Sequence, residues 1–244
     1  MFRMAAVVGF KKSGKTVVVE GLVRELVRRG HRVATIKHIR EPDFTMDQRG
    51  KDTWRHARAG ARLVISISPR ELATIEKRSA DLQEAVGRLR GLDFILIEGF
   101  REFKGIARVA VARNTSEVKK LVDEFTIACV GAGKRGLPKL GLEDSKRLAN
   151  LVERKAFPLL PGLDCEYCGY KSCREFGLAV LAGKAKWNGC MSLRERVVLT
   201  VDGKRVPINP FVQNLIANML AGMLSSLKGV RGKEIELKVR KNVR

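Results

Sequence analysis

Residues 9–16 read Gly-Phe-Lys-Lys-Ser-Gly-Lys-Thr. Gly9 and Gly14 bracket four residues, and Lys15 and Thr16 follow at once. Glycines at that spacing let the backbone turn tightly, so that successive N–H groups aim at phosphate oxygens. Lys15 would then reach the β- and γ-phosphates, and the Thr16 hydroxyl would ligate Mg²⁺. A helix starting there adds the partial positive charge of its N-terminus. The flanks supply that context. Met4–Val8 is an apolar run that reads as a buried strand. Val18, Val19, Leu22, Val23, Leu26 and Val27 recur at helical spacing over Lys15–Arg29, and Gly30 closes the helix.

A phosphate-bound magnesium needs a second acidic group. Phe94–Ile97 reads as a strand and ends in Glu98-Gly99-Phe100. A carboxylate at a buried strand end beside the loop could hold Mg²⁺ through water or act on an attacking water, so Glu98 is the candidate. Asp93, at the start of that strand, is a weaker one. A polar segment, Asp47 to Ala61, follows the Lys37-His38 strand end and suits a switch-like loop leading into a helix. His38 and His56 have no partner at metal-ligand spacing. His56 reads as a surface or capping residue and His31 as a solvated turn residue.

Five cysteines are present. Cys129 lies in an apolar stretch and reads as a small buried hydrophobe. The others run Cys165-x2-Cys168-x4-Cys173, then sixteen residues to Cys190. In a reducing cytoplasm such a set points to metal rather than to disulfides. Zinc accepts four thiolates tetrahedrally. Iron–sulfur clusters also take four, commonly three close together and one remote, as here.

These residues need elements to hold them. Val33–Ile36, Leu63–Ser68, Phe94–Ile97, Ala107–Ala112 and Phe125–Val130 read as further buried strands. Ala80–Arg90, Ser116–Val122 and Asp144–Arg154 read as helices. This alternation predicts an α/β fold, a mostly parallel P-loop NTPase-like sheet with helices on both faces. Ligands then sit at the carboxyl ends of the strands. Residues 1–156 form this unit. Pro158–Asp164 reads as a linker into a Cys-rich module, 157–195. In the last stretch, 196–244, Val197–Val201 and Lys204–Ile208 flank Asp202-Gly203, a hairpin signal. Asn209-Pro210 starts a helix, whose Phe211, Leu215, Met219, Leu220, Met223, Leu224 and Leu227 form a stripe expected to pack in a core. Lys233–Arg240 alternates like a strand, making a small ββαβ unit.

The formal net charge is +22 over 244 residues. Residues 1–155 hold 33 Lys or Arg against 19 Asp or Glu, and residues 156–244 hold 15 against 7. Charge spread this evenly favours anionic ligands over a dedicated nucleic-acid arm. Only 6% of residues are aromatic, too few for a base-stacking platform. No apolar run is long enough to span a membrane, and the apolar N-terminus leads into a phosphate loop rather than a cleavage site. A cytoplasmic protein is expected.

The sequence resembles the molybdopterin-guanine dinucleotide biosynthesis protein B family. The resemblance rests on the phosphate loop, Ile36-Lys37-His38, the block from Asp47 through Gly50-Lys-Asp-Thr-Trp-Arg-His56 to Ala61, and Ile97-Glu98-Gly99-Phe100. It spans roughly residues 4 to 113. It implies a GTP-binding accessory protein, at most a slow GTPase, working beside the guanylyltransferase that joins GMP to molybdopterin. It also implies that Lys12, Ser13, Gly14, Lys15 and Thr16 bind phosphates, that Thr16 and Glu98 sit at Mg²⁺, and that Asp47 lies on the γ-phosphate side. Arg101 to Arg108 lacks the Pro-Lys pair common in the family, and no Asn-Lys-x-Asp guanine-reading motif is present. The stretch from Cys165 to Phe176, with Cys190, resembles the four-cysteine [4Fe–4S] module of corrinoid iron–sulfur proteins. The same parts would also suit a redox ATPase that drives electrons from the cluster. A nucleic-acid-binding protein with a zinc module is a third reading. The chain is compatible with a homodimer.

Overall fold

The run Met-Ala-Ala-Val-Val within Arg3–Gly9 carries no charge and is buried on both faces, as only a central strand can be. A computed structural model, which describes residues 1–228, 232, 234–237 and 239, places this strand, β1, at the middle of the sheet. The chain continues through α1 (Lys15–Arg28), β2 (Val33–Lys37), α2 (Asp52–Arg58), β3 (Leu63–Ile67), β4 (Leu72–Glu76), α3 (Leu82–Gly87) and β5 (Phe94–Glu98). Next come β6 (Ala107–Ala112), α4 (Thr115–Leu121), β7 (Thr126–Gly131), the short β8 (Lys139–Leu140) and α5 (Ser145–Lys155). Then follow α6 (Cys173–Leu181), β9 (Leu199–Val201), β10 (Lys204–Val206) and α7 (Pro210–Ser225).

The six-stranded sheet runs β2-β5-β1-β6-β7-β8, with every neighbouring pair parallel. Successive residues of β1 feed opposite faces, as the strand pleat requires. Ala5 and Val7 pack with Val18, Leu22 and Leu26 of α1 and Leu148 and Val152 of α5. Met4, Ala6 and Val8 pack with Leu82 and Val86 of α3 and Val118 and Leu121 of α4. The expected layered α/β architecture is therefore present. The buried Cys129 sits in β7 as a small hydrophobe.

The cysteine-rich module attaches at the amino ends of the strands. The Met4 amide donates to the Phe157 carbonyl at 3.0 Å. Phe157 packs on Phe125, just before β7, with ring centres 6.2 Å apart. The Arg3 guanidinium lies 4.0 Å from the Phe94 ring centre and 5.3 Å from that of Trp187. A side chain on Gly177 of α6 would meet Phe125 at 3.0 Å and Phe157 at 3.2 Å. Phe176, Val180 and Cys190 belong to the same buried cluster as Val18 and Leu22.

Several expectations need correction. Leu63–Ser68 is not a buried strand of the main sheet. β3 pairs antiparallel with β4 in a separate hairpin, where Val64 is buried while Leu63, Ile65 and Ile67 are exposed. His31 is no solvated turn residue. Its Nε2 lies 2.7 Å from Glu153 Oε1, and its ring meets Phe94 edge-on at 4.9 Å. The tail hairpin forms, with Asp202 (φ 49°) and Gly203 (φ 77°) both in the left-handed region that a two-residue turn demands. Asn209 caps α7 by accepting from the Val212 amide at 2.9 Å. The α7 stripe, however, is not core. Phe211, Leu215, Met219, Met223 and Leu227 are exposed. The helix is fastened by its polar side instead. Gln213 donates to the Ser192 and Ile208 carbonyls, each at 3.1 Å, and Arg196 donates to Asn214 at 2.9 Å and Asn218 at 3.0 Å. Residues 234–237 and 239 take no strand structure. The remainder of the expected Lys233–Arg240 strand lies outside the described residues.

Candidate functional site

The segment from Gly9 to Thr16 folds as a tight cradle between β1 and α1. A Cβ on Gly9 would fall 2.5 Å from Ser13 Oγ and 2.6 Å from the Val111 carbonyl, so only glycine fits. Lys12 (φ 61°) and Gly14 (φ 94°) take the left-handed conformation that points successive amides inward. No side chain caps the first turn of α1, whose leading N–H groups have no intrahelical partner. Ser13 Oγ is buried without a hydrogen-bond partner. These are the features of an anion cradle, and phosphate oxygens fit them. The Lys15 ammonium donates to the Phe10 carbonyl at 2.6 Å. Burial lowers its pKa; Glu98 opposes the shift, while Lys37 and Arg101 reinforce it.

β5 lies directly beside β1 and delivers Glu98 to the same edge, opposite Val7 in the register. Thr16 Oγ1 stands 3.2 Å and 3.3 Å from the two Glu98 oxygens. β2 adds Lys37, which pairs with Glu98 in the strand register and reaches its carboxylate at 3.5 Å. The turn after Glu98 is strained, with Gly99 at φ 100° and Phe100 at φ 51°. His38 stacks on Phe100 at 4.1 Å, and the Gly99 amide donates to the Val7 carbonyl at 3.0 Å. Arg101 lies 4.8 Å over the Phe10 ring. Lys37 and Arg101 thus join a site that the motifs alone did not assign to them. The end of β2 at Lys37 and the place of Arg101 three residues after Glu98 were the available signals.

Asp47 belongs to a neighbouring constellation. It accepts from Thr53 Oγ1 at 2.7 Å, and its amide donates to Thr45 Oγ1 at 3.2 Å. Its second carboxylate oxygen is buried without a partner. Lys11 of the cradle and Glu41, both exposed, approach to 4.0 Å. The structure brings Thr16, Glu98 and Lys15 together and holds Asp47 with Thr45 and Thr53.

The second site is built by a loop and by the first turn of α6. Asp164 (φ 42°), Glu166 (φ 62°) and Gly169 (φ 82°) bend the loop that carries Cys165 and Cys168. Asp164 accepts from the Cys173 amide at 2.6 Å, and Ser172 caps α6 by accepting from the Glu175 amide at 3.1 Å. Cys190 precedes a short 3-10 turn, Met191–Leu193. Cys165, Cys168, Cys173 and Cys190 line one small cavity together with Tyr167, Tyr170 and Ser192. Cys165 Sγ lies 3.2 Å from Ser192 Oγ, a neighbour that cysteine spacing does not reveal. Burial pushes the Cys190 thiol up, against two backbone hydrogen bonds and with help from Cys173 and Cys168. Among the described residues, no three Cys, His, Asp or Glu side chains are gathered closely enough to hold a metal ion as they stand. The four thiols line one space, and a donor set of four thiols is one that zinc and iron–sulfur clusters both accept.

Residues 4–132 match the family described as "Molybdopterin guanine dinucleotide synthesis protein B". Residues 160–192 match the family described as "Putative Fe-S cluster" and contain all four clustered cysteines. A Methanocaldococcus jannaschii protein named "Putative molybdopterin-guanine dinucleotide biosynthesis adapter protein" is 30% identical over 233 residues, covering 93% of each chain. The Escherichia coli molybdopterin-guanine dinucleotide biosynthesis adapter protein is 32% identical over 120 residues, 47% of this chain and 67% of that one. The crystal structure of Bacillus subtilis MobB is similar with a TM-score of 0.54 at 24% identity, over 62% of this chain and 98% of that one. That structural likeness speaks to the fold, and the relatives and the family match carry the rest: this chain belongs to the molybdopterin-guanine dinucleotide synthesis protein B family and carries an iron–sulfur family region behind it.

Proposed function

We propose that this protein is a GTP-binding adaptor in molybdenum or tungsten cofactor maturation, assisting the guanylyltransferase that attaches GMP to molybdopterin. The single observation that carries the nucleotide part is the meeting of Thr16 and Glu98 across the phosphate cradle at 3.2 Å. In this reading the amides of Lys12 to Thr16 and the Ser13 hydroxyl hold phosphate oxygens. Lys15 turns from the Phe10 carbonyl to the β- and γ-phosphates. Thr16 and Glu98 would hold Mg²⁺, which would neutralise phosphate charge when bound. Glu98 and Asp47 would orient water near the γ-phosphate, and the family resemblance implies that hydrolysis is at most slow. The unpartnered Asp47 oxygen is what supports its share in this role. Cys165, Cys168, Cys173 and Cys190 would hold a [4Fe–4S] cluster, with Zn²⁺ as the alternative.

Partner recognition is the adaptor's other half. The exposed apolar residues of the β3–β4 hairpin, Leu63, Ile65, Ile67 and Leu72, support self-association, since an isolated two-stranded hairpin gains little stability alone. Among the described residues no helix is long and apolar enough to cross a membrane.

The test is anaerobic calorimetry with GTP and ATP in the presence of Mg²⁺. A tenfold preference for GTP, about 1.4 kcal/mol, is expected. A preference for ATP overturns the adaptor reading and favours a redox ATPase. Metal and sulfide analysis of the same sample separates cluster from zinc.

A further inference from the structure

The phosphate cradle has two unlike flanks. On the β5 and β2 side stand Glu98, Lys37 and Arg101, a charged flank suited to metal and terminal phosphate. On the other side the strands β6, β7 and β8 end in loops. One of these, residues 141–144 between β8 and α5, reaches the cradle itself. A Cβ on Gly14 would stand 3.1 Å from Leu142 Cδ2 and 3.7 Å from Cδ1. The leucine therefore covers the glycine that caps α1.

The loop is held where it is. Asp144 accepts from the Gly141 amide at 2.8 Å, and the Ser145 amide donates to the Glu143 carbonyl at 2.8 Å. Ser145 Oγ packs so closely on α1 that a side chain at Gly21 would meet it at 2.3 Å. Leu142 covers Gly14 with one side and remains 45% exposed on the other. Val17, in the first turn of α1, is 51% exposed.

We infer that Leu142 is the apolar platform on which the nucleoside of the bound nucleotide rests, so that it positions the sugar and base while the amides and Lys15 hold the phosphates. This rests on the nucleotide reading above. A ligand whose phosphates fill the cradle must carry its nucleoside off one flank. The flank of Lys37, Glu98 and Arg101 matches charge, whereas the face of a purine is apolar and gains by covering an exposed leucine. Nothing in the phosphate-loop motif identifies this residue, because it lies well over a hundred positions downstream.

The experiment compares GTP with inorganic tripolyphosphate, each with Mg²⁺, on the full-length wild type and on Leu142→Ala and Leu142→Met. Leu142→Ala is expected to weaken GTP about tenfold, while tripolyphosphate binds as to the wild type. Leu142→Met, which keeps the apolar surface, is expected to restore GTP affinity to within about twofold. Unchanged GTP affinity in Leu142→Ala overturns the assignment. So does an equal loss for both ligands, since the leucine would then shape the cradle and not the nucleoside site. A wild type that binds neither ligand overturns the nucleotide reading itself, and the platform with it.

Discussion

Thr16 and Glu98 stand 82 positions apart in the chain, yet the Thr16 hydroxyl lies 3.2 Å from the Glu98 carboxylate. Parallel pairing of β1 with β5 makes this meeting, because both strands end at the same edge. Substituting Glu98 by Gln keeps the shape and removes the charge. GTP affinity in Glu98→Gln should become nearly independent of Mg²⁺, whereas the wild type gains from it. A magnesium dependence equal to that of the wild type would exclude Glu98 from the metal.

The Lys15 ammonium is folded onto the cradle's own backbone, through Phe10. Removing it deletes a charge-assisted contact, typically about 1.5–3 kcal/mol. Lys15→Ala should therefore weaken GTP on the order of 100-fold by calorimetry. Retained affinity rejects the site.

Cys168 faces the thiol-lined cavity, whereas Phe176 lies inside the common core. Cys168→Ser should lose iron, read by absorbance and metal analysis, and keep GTP affinity within about twofold. Phe176→Ala should destabilise the whole chain by about 3–5 kcal/mol, read by denaturant unfolding. If Cys168→Ser abolishes nucleotide binding as well, the two sites are not separable.

Glu25 is held at a pKa of about 2 by hydrogen bonds from Arg28 and Arg29. Its folded value lies below its ordinary one near 4.5. The associated stability is fully present above about pH 4.5 and is lost as pH falls toward 2. Glu76, also at about 2 beside Arg88 and Arg78, acts in the same window. The thermal midpoint should fall across that range, and more shallowly in Glu25→Gln. Equal slopes would show that the Glu25 pair does not contribute.

The parts of this chain that obey local rules could be read without a structure. The two-residue turn at Asp202-Gly203, the Asn209 cap and the phosphate loop depend on neighbours in sequence, and each forms as its residues dictate. What escaped depends on distant partners. Leu63 to Ile67 has the composition of a buried strand, but its partner is β4 and its outer face has no cover. The α7 stripe has the spacing of a core helix, yet Arg196 and Gln213 bind its polar side and leave the apolar side outward. His31 follows a helix-ending glycine, which says nothing of Glu153 on another helix. In the sites, residue types pointed to Thr16, Glu98 and the four thiols, while the approach of Lys37 to Glu98 and of Ser192 to Cys165 became visible only through register and loop placement.

The thiols enter through Phe157 and Arg3 at the amino edge of the sheet, and the phosphate loop leaves from Gly9 at the other. β1 has seven residues, so about 20 Å of strand separates the attachment of the Cys-rich module from the start of the phosphate loop. The link between the two ends is the packed core, in which Ala5 and Val7 of β1 share one cluster with Phe176, Val180 and Cys190.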